Sequence, residues 1–338
     1  QKAIIAKPDY AQPYNNLGNA RSNIGRDTEA ILDFTKAILV KPNFAEAHSN
    51  LGATNAKSNK YERAVAGYKN ALQHDPNLAV AYNNLGVAYE KLGKIEDALN
   101  NYFIAINLKS NPGDAHNNLS SLLSSLSAER YSEELANAYL FILKQTTCCR
   151  PAVLAHPISA LLKQHPIVID ALGFVQLKQH KKSVIKVSKQ LASIPLLLKI
   201  MELCPIPDLE LEALFKKIRE QLLLNHSMLT FDEDVLKFQA SLALQCFTNE
   251  FVYGETDEET REVRALQIKF SDQIAKKEDG LLHKLACFAS YRSLENLPLA
   301  SGILERGPLA NIYIRQVIDV QKEKCFSHNI RKIAAITD

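Results

Sequence analysis

An asparagine recurs every 34 residues, at Asn16, Asn50, Asn84 and Asn118. Asn15, Asn19, Asn83 and Asn117 accompany it. A side-chain amide carries a donor and an acceptor in one planar group. It can therefore pair with the N–H and C=O of an extended peptide backbone through two bonds at once. A row of such amides at fixed spacing would hold a peptide largely independently of its sequence. This is binding chemistry, not bond-making chemistry.

Residue types that catalyse are present, but not in a working pattern. The cysteines are Cys148, Cys149, Cys204, Cys246, Cys287 and Cys325. None belongs to a CxxC, and no Cys/His set has metal-ligand spacing. They read as reduced, mostly buried thiols of a cytoplasmic protein. His156, His165, His180, His226 and His283 are scattered without a partner motif. The acidic clusters Asp232–Glu233–Asp234 and Asp257–Glu258–Glu259 suit a helix first turn, where negative charge favours the macrodipole. No GxGxxG and no P-loop occurs. The net charge of +3 and the short run Lys178–Lys182 offer no clustered basic face for nucleic acid. The richest apolar run, Ile194–Ile200, is broken by Pro195 and Lys199, so no membrane span is predicted. No basic-then-apolar leader begins the chain. These residues read as non-enzymatic, with no cofactor, metal, nucleic-acid or membrane partner.

The amides must be positioned by something with the same period. Leu17, Leu51, Leu85 and Leu119 form the next column, then Gly18, Gly52 and Gly86, with Ser120 breaking the run. Ala30, Ala64 and Ala98 recur, as do Phe34, Tyr68 and Tyr102, and Ala37, Ala71 and Ala105. Pro8, Pro42 and Pro76 punctuate the joins. A period this strict is the mark of a solenoid built from stacked helix pairs. In the third unit the spacing predicts helix A over about Leu78–Leu92 and helix B over Ile95–Leu108. Gly93 would take a left-handed conformation between them, as Gly25 and Asn59 would in the earlier units. Gly86 and Ala98 would let the two backbones approach, and Tyr102 would fill the gap toward the next unit.

The period and these residue types resemble the tetratricopeptide repeat (TPR) family. The resemblance implies an all-α superhelical array whose A helices line a concave groove. The lining positions it implies are Asn15, Asn16, Asn19, Ser49, Asn50, Asn83, Asn84, Val87, Asn117, Asn118 and Ser121. Its amide column looks like the asparagine ladder of the TPR domain of protein O-GlcNAc transferases. Asn is also frequent at this column in the family, so it lines the groove with or without a peptide. Carboxylate-clamp members carry Lys or Arg where this chain has Asn15, Asn83 and Asn117, which counts against a chaperone-tail binder. The implied partner is a protein or an extended peptide segment, in a nearly neutral groove with Glu46, Glu90 and Asp114 set against Lys57 and Lys91. Ala3 and Pro8 fall in the columns of Ala37 and Pro42, so residues 1–7 read as the end of a preceding repeat and further repeats are expected upstream. The ends of such a cut solenoid, at Ile4 and Ile5, could pair as a homodimer.

The array is expected to span residues 1–146, with a degenerate capping repeat in which Ser132 and Ala136 replace the Ala and aromatic columns and Ala128–Lys144 forms the second helix. Thr146–Pro151 reads as a linker with Pro151 as a breaker. Residues 147–338 read as a second, irregular helical domain of unknown role. Its helices are predicted at 153–164, 166–177, 181–192, 195–203, 207–225, 232–252, 257–277, 279–290 and 308–323. Thr256 and Glu259 make a capping box, Asp232 an N-cap, and Leu236, Ala240, Leu244 and Phe247 an apolar stripe. Residues 196–214 and 242–259 are similar to the helical region of bacterial proteins in which a TPR array precedes an S-adenosylmethionine-dependent methyltransferase domain. That resemblance implies a substrate-docking part whose catalytic domain lies beyond residue 338.

Overall fold

A computed structural model of the chain describes residues 10–108, 113–145, 150–176, 182–276, 280–297 and 307–323. The readings made at Ala3, Ile4, Ile5, Pro8, Cys148, Cys149, His180 and Cys325, and at all of the run Lys178–Lys182 but its last residue, lie outside these. The described residues are helical and contain no strand. They fall into two compact units, Gln1–Ser125 and Leu126–Asp338.

Among the described residues the first unit holds three helix pairs and a seventh helix. The pairs are α1 (Ala11–Asn23) with α2 (Asp27–Val40), α3 (Ala45–Lys57) with α4 (Tyr61–His74), and α5 (Ala79–Lys91) with α6 (Ile95–Asn107). Then comes α7 (Gly113–Ser125). The turn inside each pair has one design. Gly25, Asn59 and Gly93 take φ of 79°, 58° and 71°. The next residue's N–H then reaches back to a helix carbonyl, as Arg26 N to Arg21 O, Lys60 N to Asn55 O and Lys94 N to Tyr89 O, each at 2.9 Å. This closes the orphan carbonyls of the helix end, and Asn is the side chain best tolerated there after Gly. Between pairs, Lys41 and Asp75 are extended, as a following proline requires.

Within each pair the helices meet at a glycine. A Cβ built on Gly18 would stand 2.7 Å from the Phe34 ring, on Gly52 2.9 Å from Tyr68, and on Gly86 2.7 Å from Tyr102. The aromatic column therefore covers the glycine of its own repeat, rather than only filling a gap toward the next. Phe34, Tyr68 and Tyr102 are fully buried, as are the alanines one turn either side of them. The second pair approaches closest, because Gly67 also faces the backbone of Gly52.

The second unit begins after Ser125, not after residue 146. Its first helix, α8, is Glu133–Lys144 and packs on helices of that unit, α9 (Pro151–Leu162) and α12 (Pro195–Leu203). It starts later than Ala128 because the Ser132 hydroxyl accepts from Leu135 N at 3.2 Å and caps it. Ser132, taken as a substitute for the repeat's Ala, is thus an N-cap. Pro151 starts α9 at its first position, where the missing N–H costs nothing. The remaining helices are α10 (Pro166–Gln176), α11 (Lys182–Ala192), α13 (Leu209–Leu224), α14 (Glu233–Thr248), α15 (Asp257–Lys276) and α16 (Leu281–Ala289). Last is α17 (Ala310–Tyr313), which continues as a π-helix over Ile314–Asp319.

The core of this unit is α14. The sequence predicts a one-sided stripe, but every residue from Val235 to Cys246 except Lys237 is buried. Helices α11, α12 and α16 pack around it. Its buried glutamines find partners: Gln239 donates to Cys287 Sγ at 3.2 Å, and the Gln245 amide, turned with its nitrogen to Cys204 O and its oxygen to Ile206 N, meets them at 3.1 and 3.0 Å. Gln316 of the π-turn is also fully buried, donating to Ala289 O at 3.0 Å and accepting from Leu294 N at 3.2 Å. Among the described residues no single helix is long and apolar enough to cross a membrane. Pro151–Leu162 and Pro166–Val175 are apolar together but lie 87° apart.

The two kinds of helical glycine should respond oppositely to a methyl group. Gly86→Ala pushes a Cβ into the Tyr102 ring and should destabilise by about 1–3 kcal/mol. Gly173→Ala, in α10 with nothing within 4 Å, should leave stability unchanged or raise it by up to about 1 kcal/mol. Urea denaturation followed by circular dichroism reads both.

Candidate functional site

The asparagines lie on α1, α3, α5 and α7, the first helices of successive repeats. Residues four apart share a helix face, so Asn15 and Asn19 are neighbours, with Asn16 beside them. Asn16 and Asn117 are exposed; Asn19, Asn50, Asn83, Asn84 and Asn118 are partly buried; Asn15 is fully buried.

The structure links these amides from one repeat to the next. Asn50 Nδ2 donates to Asn15 Oδ1 at 3.0 Å, and Asn118 Nδ2 donates to Asn83 Oδ1 at 2.9 Å. Asn15 in turn donates to Glu46 Oε1 at 3.1 Å. Asn83 Nδ2 lies 3.5 Å from Asn84 Oδ1, and Asn16 accepts from Gln12 at 3.3 Å. Asn15 is thus consumed by internal bonds and offers nothing to a ligand. Asn50 and Asn118 each spend one N–H, and the oxygen and second N–H of each amide make no bond to a described residue. At the middle junction the residue equivalent to Asn15 and Asn83 is Ser49, too short to extend the pattern.

Charges around these helices are largely paired. Arg21 bonds the buried Asp33 at 2.6 Å. Lys57 donates to Ser22 O at 2.6 Å and lies 3.8 Å from Asp27. Glu90 accepts from the Tyr102 hydroxyl at 2.9 Å. Burial, reinforced by that carboxylate, pushes the Tyr102 phenol far above its usual range. Beside Asp114 on α7 lies a cavity of about 90 Å³ between α5, α6 and α7. Sequence reasoning missed it, since nothing local marks where side chains fail to fill space.

The second unit holds the densest polar cluster, at a place the sequence assigns only to helix capping. The capping box forms: Thr256 N donates to Glu259 Oε2 at 2.7 Å and Glu259 N to Thr256 Oγ1 at 3.2 Å. Yet Glu259 is buried, accepts from the Tyr291 hydroxyl and lies 3.5 Å from Arg219. The Arg219 guanidinium stacks 4.1 Å from the Tyr291 ring and 5.5 Å from Tyr253, and donates to Gly254 O at 3.1 Å. Glu250 and Phe251, with φ of 52° and 55°, form the turn that brings Tyr253 and Gly254 there. Arg219 lies four residues after Phe215 and three before Leu222, on the buried face of α13, where a cation is unexpected.

The nearest approach to a nucleophile pair is Cys287 with His283, joined through Gln239. His283 Nε2 accepts from Asp232 N at 3.2 Å, so Nδ1 carries the proton toward Gln239 Oε1, and Gln239 Nε2 donates to Cys287 Sγ at 3.2 Å. Burial pushes the Cys287 thiol up to about 12 and lowers His283. A buried, protonated thiol that receives a hydrogen bond is a packing group, not a nucleophile. Cys204 and Cys246 are likewise buried and pushed to about 11 and about 12. Among the described residues no group of three His, Cys, Asp or Glu could hold a metal ion.

Residues 11–44 and 79–111 match the sequence family described as tetratricopeptide repeat, and residues 56–93 match a family described as TPR repeat. No curated protein matches the chain. Among solved structures, the first TPR of Spaghetti (RPAP3) bound to HSP90 peptide SRMEEVD is 25% identical over 33% of this chain and 89% of that one, with a TM-score of 0.32. MamA is 22% identical over 42% of this chain and 80% of its own, with a TM-score of 0.37. MamA from Desulfovibrio magneticus RS-1 gives 21% over 42% and 78%, with a TM-score of 0.35.

The rim of the Arg219 cluster makes one pH prediction. Arg292 bonds both oxygens of Glu255, and this holds the Glu255 carboxyl below its ordinary value of 4.5. The unfolded chain then takes up that proton first as pH falls. The contribution is whole above about pH 4.5 and is lost as pH drops through the lower folded value. Glu255→Gln should cost up to about 1 kcal/mol at neutral pH, with the gap closing in acid. Thermal melts from pH 7 to pH 3 on both proteins measure it.

Proposed function

We propose that the first unit, an array of tetratricopeptide repeats, is a protein-binding scaffold that holds an extended peptide segment along α1, α3, α5 and α7 by its side-chain amides. The observation that carries this reading is the state of Asn50 and Asn118. Each is fixed by one bond to the amide of the preceding repeat, at 3.0 and 2.9 Å, and each keeps a donor and an acceptor for a ligand. An amide already held in place loses little freedom on binding, so more of its bond energy appears as affinity. Asn16, Asn84 and Asn117 add exposed or partly exposed amides to the same surface. Asn15 acts instead as the buried post to which Asn50 is tied.

Contacts of this kind read backbone, so the ligand is defined by extended conformation first and by side chains second. The same amides replace the cations that would be needed to hold a peptide's C-terminal carboxylate.

Asn84 gives the cleanest test. Among the described residues its one bond is the long contact from Asn83, so Asn84→Ala should leave the melting temperature within a degree or so. Peptides selected from a random display library on the intact chain should bind Asn84→Ala about fivefold more weakly, the loss of roughly 1 kcal/mol from one amide pair. Asn50→Ala should lose as much again. Unchanged affinity in both variants, measured by fluorescence anisotropy, would refute the amide reading.

A further inference from the structure

The amide surface is not uniform along the array. One position of each first helix carries Gln12, Glu46, Val80 and Asp114, 34 residues apart. At the first junction Glu46 reaches back to Asn15, and Asn15 is buried behind it. At the last junction the acid is Asp114, one methylene shorter. Asn83, the counterpart of Asn15, bonds Asn118 and Asn84 instead. Asp114 is exposed and makes no ion pair with a described residue. A cavity of about 90 Å³ lies beside Asp114 at this junction. Its lining divides into methyl-bearing side chains, Ala79, Val80, Ala105 and Ala115, and a polar set of Asn83, Asn84 and Asp114.

We propose that this cavity receives a lysine or arginine side chain of the groove-bound segment. The inference rests on the groove reading above and adds the class of residue recognised. The volume holds about three water-sized groups, the bulk of an aliphatic stem. The stem lies against the alanines and Val80, and the cation meets the Asp114 carboxylate. An apolar occupant would cover Asp114 and leave a carboxylate without partner or water, at a cost no methyl contact offsets. An acidic occupant would be repelled. A long side chain with a cationic end satisfies both halves of the lining, as such side chains do wherever apolar and charged surfaces adjoin.

The test uses the intact chain and fluorescein-labelled extended peptides of alanine and serine, identical except for one central lysine, arginine, norleucine or glutamate. Anisotropy should show the lysine and arginine peptides binding about five- to tenfold more tightly than norleucine, with glutamate weakest. Raising the ionic strength should narrow the gap between lysine and norleucine. Asp114→Asn should abolish that gap and leave the norleucine affinity where it was, because Asp114 makes no hydrogen bond or ion pair with a described residue. Equal binding of the lysine and norleucine peptides to the unmodified protein would overturn the inference while leaving the groove intact. Failure of every peptide to bind would overturn the groove reading, and this inference with it.

Discussion

The first unit depends on one close contact, repeated. At Gly18, Gly52 and Gly86 an aromatic ring of the second helix occupies the volume where a Cβ would stand. That contact sets how near the two helices of a repeat lie. Alanines a turn away on the second helix, buried to the last few per cent, add no bulk that would hold the two helices apart. With the pair distance fixed, stacking fixes where each first helix stands relative to the next, and so where its asparagines point. The contact also explains where the array ends. The fourth position in the glycine column is Ser120, and the residue in its aromatic column is Ala136. Neither half of the contact survives, and the division between units falls at Ser125 and Leu126, before the helix that would have completed the pair.

Bracing and binding compete for the same amides. A buried amide left unpaired costs about 1–3 kcal/mol, whereas a satisfied one contributes only about 1 kcal/mol net. Asn15, buried entirely, has to be satisfied, and Glu46 and Asn50 do so. Partly exposed amides face no such demand, since water can take any group the protein leaves free. The junctions are therefore chemically distinct although the repeats are alike. At the first a glutamate bonds the buried asparagine, the second carries Ser49 in that asparagine's place, and at the third the acid is an aspartate with a cavity beside it. Two methylene-scale differences in otherwise matching columns suffice to make one groove non-uniform.

How much of this could be read in advance follows from the range of each signal. The repeats were legible because their determinants recur in register, and because Gly25, Asn59 and Gly93 mark turns by a local backbone need. The helices of the second unit were legible from caps such as Asp232 and the Thr256–Glu259 box, which act within three residues. What escaped is long-range. Arg219 meets Gly254 and Glu259, and Gln316 meets Ala289, across 27 to 40 positions of chain, and no pattern in a window shows that. The all-round burial of α14 escaped for the same reason, since its polar Gln239 and Gln245 break the apolar run while their partners lie elsewhere. Asn15 was identified as a groove residue by its column, but its burial depends on Glu46, one repeat away.

The two units thus reach a defined structure by different means, and the difference bears on where function can sit. The second unit relies on single buried polar pairings: Arg219 with Glu259, His283 with Gln239 and Cys287, Gln316 with Ala289 and Leu294. Such networks specify one arrangement through the partners they find, although the Arg219 Nε and Nη1 find no hydrogen-bond acceptor among the described residues. Their chemistry is spent on the fold; a ligand that engaged Arg219 or His283 would have to break what holds them. In the repeats, specification comes from shape, through glycine, alanine and aromatic columns that carry almost no polar groups. The polar residues of the first helices are then free to differ from repeat to repeat without disturbing the packing beneath. That separation of shape from polarity is what the proposed peptide groove would need, since its exposed amides could change without cost to the packing beneath.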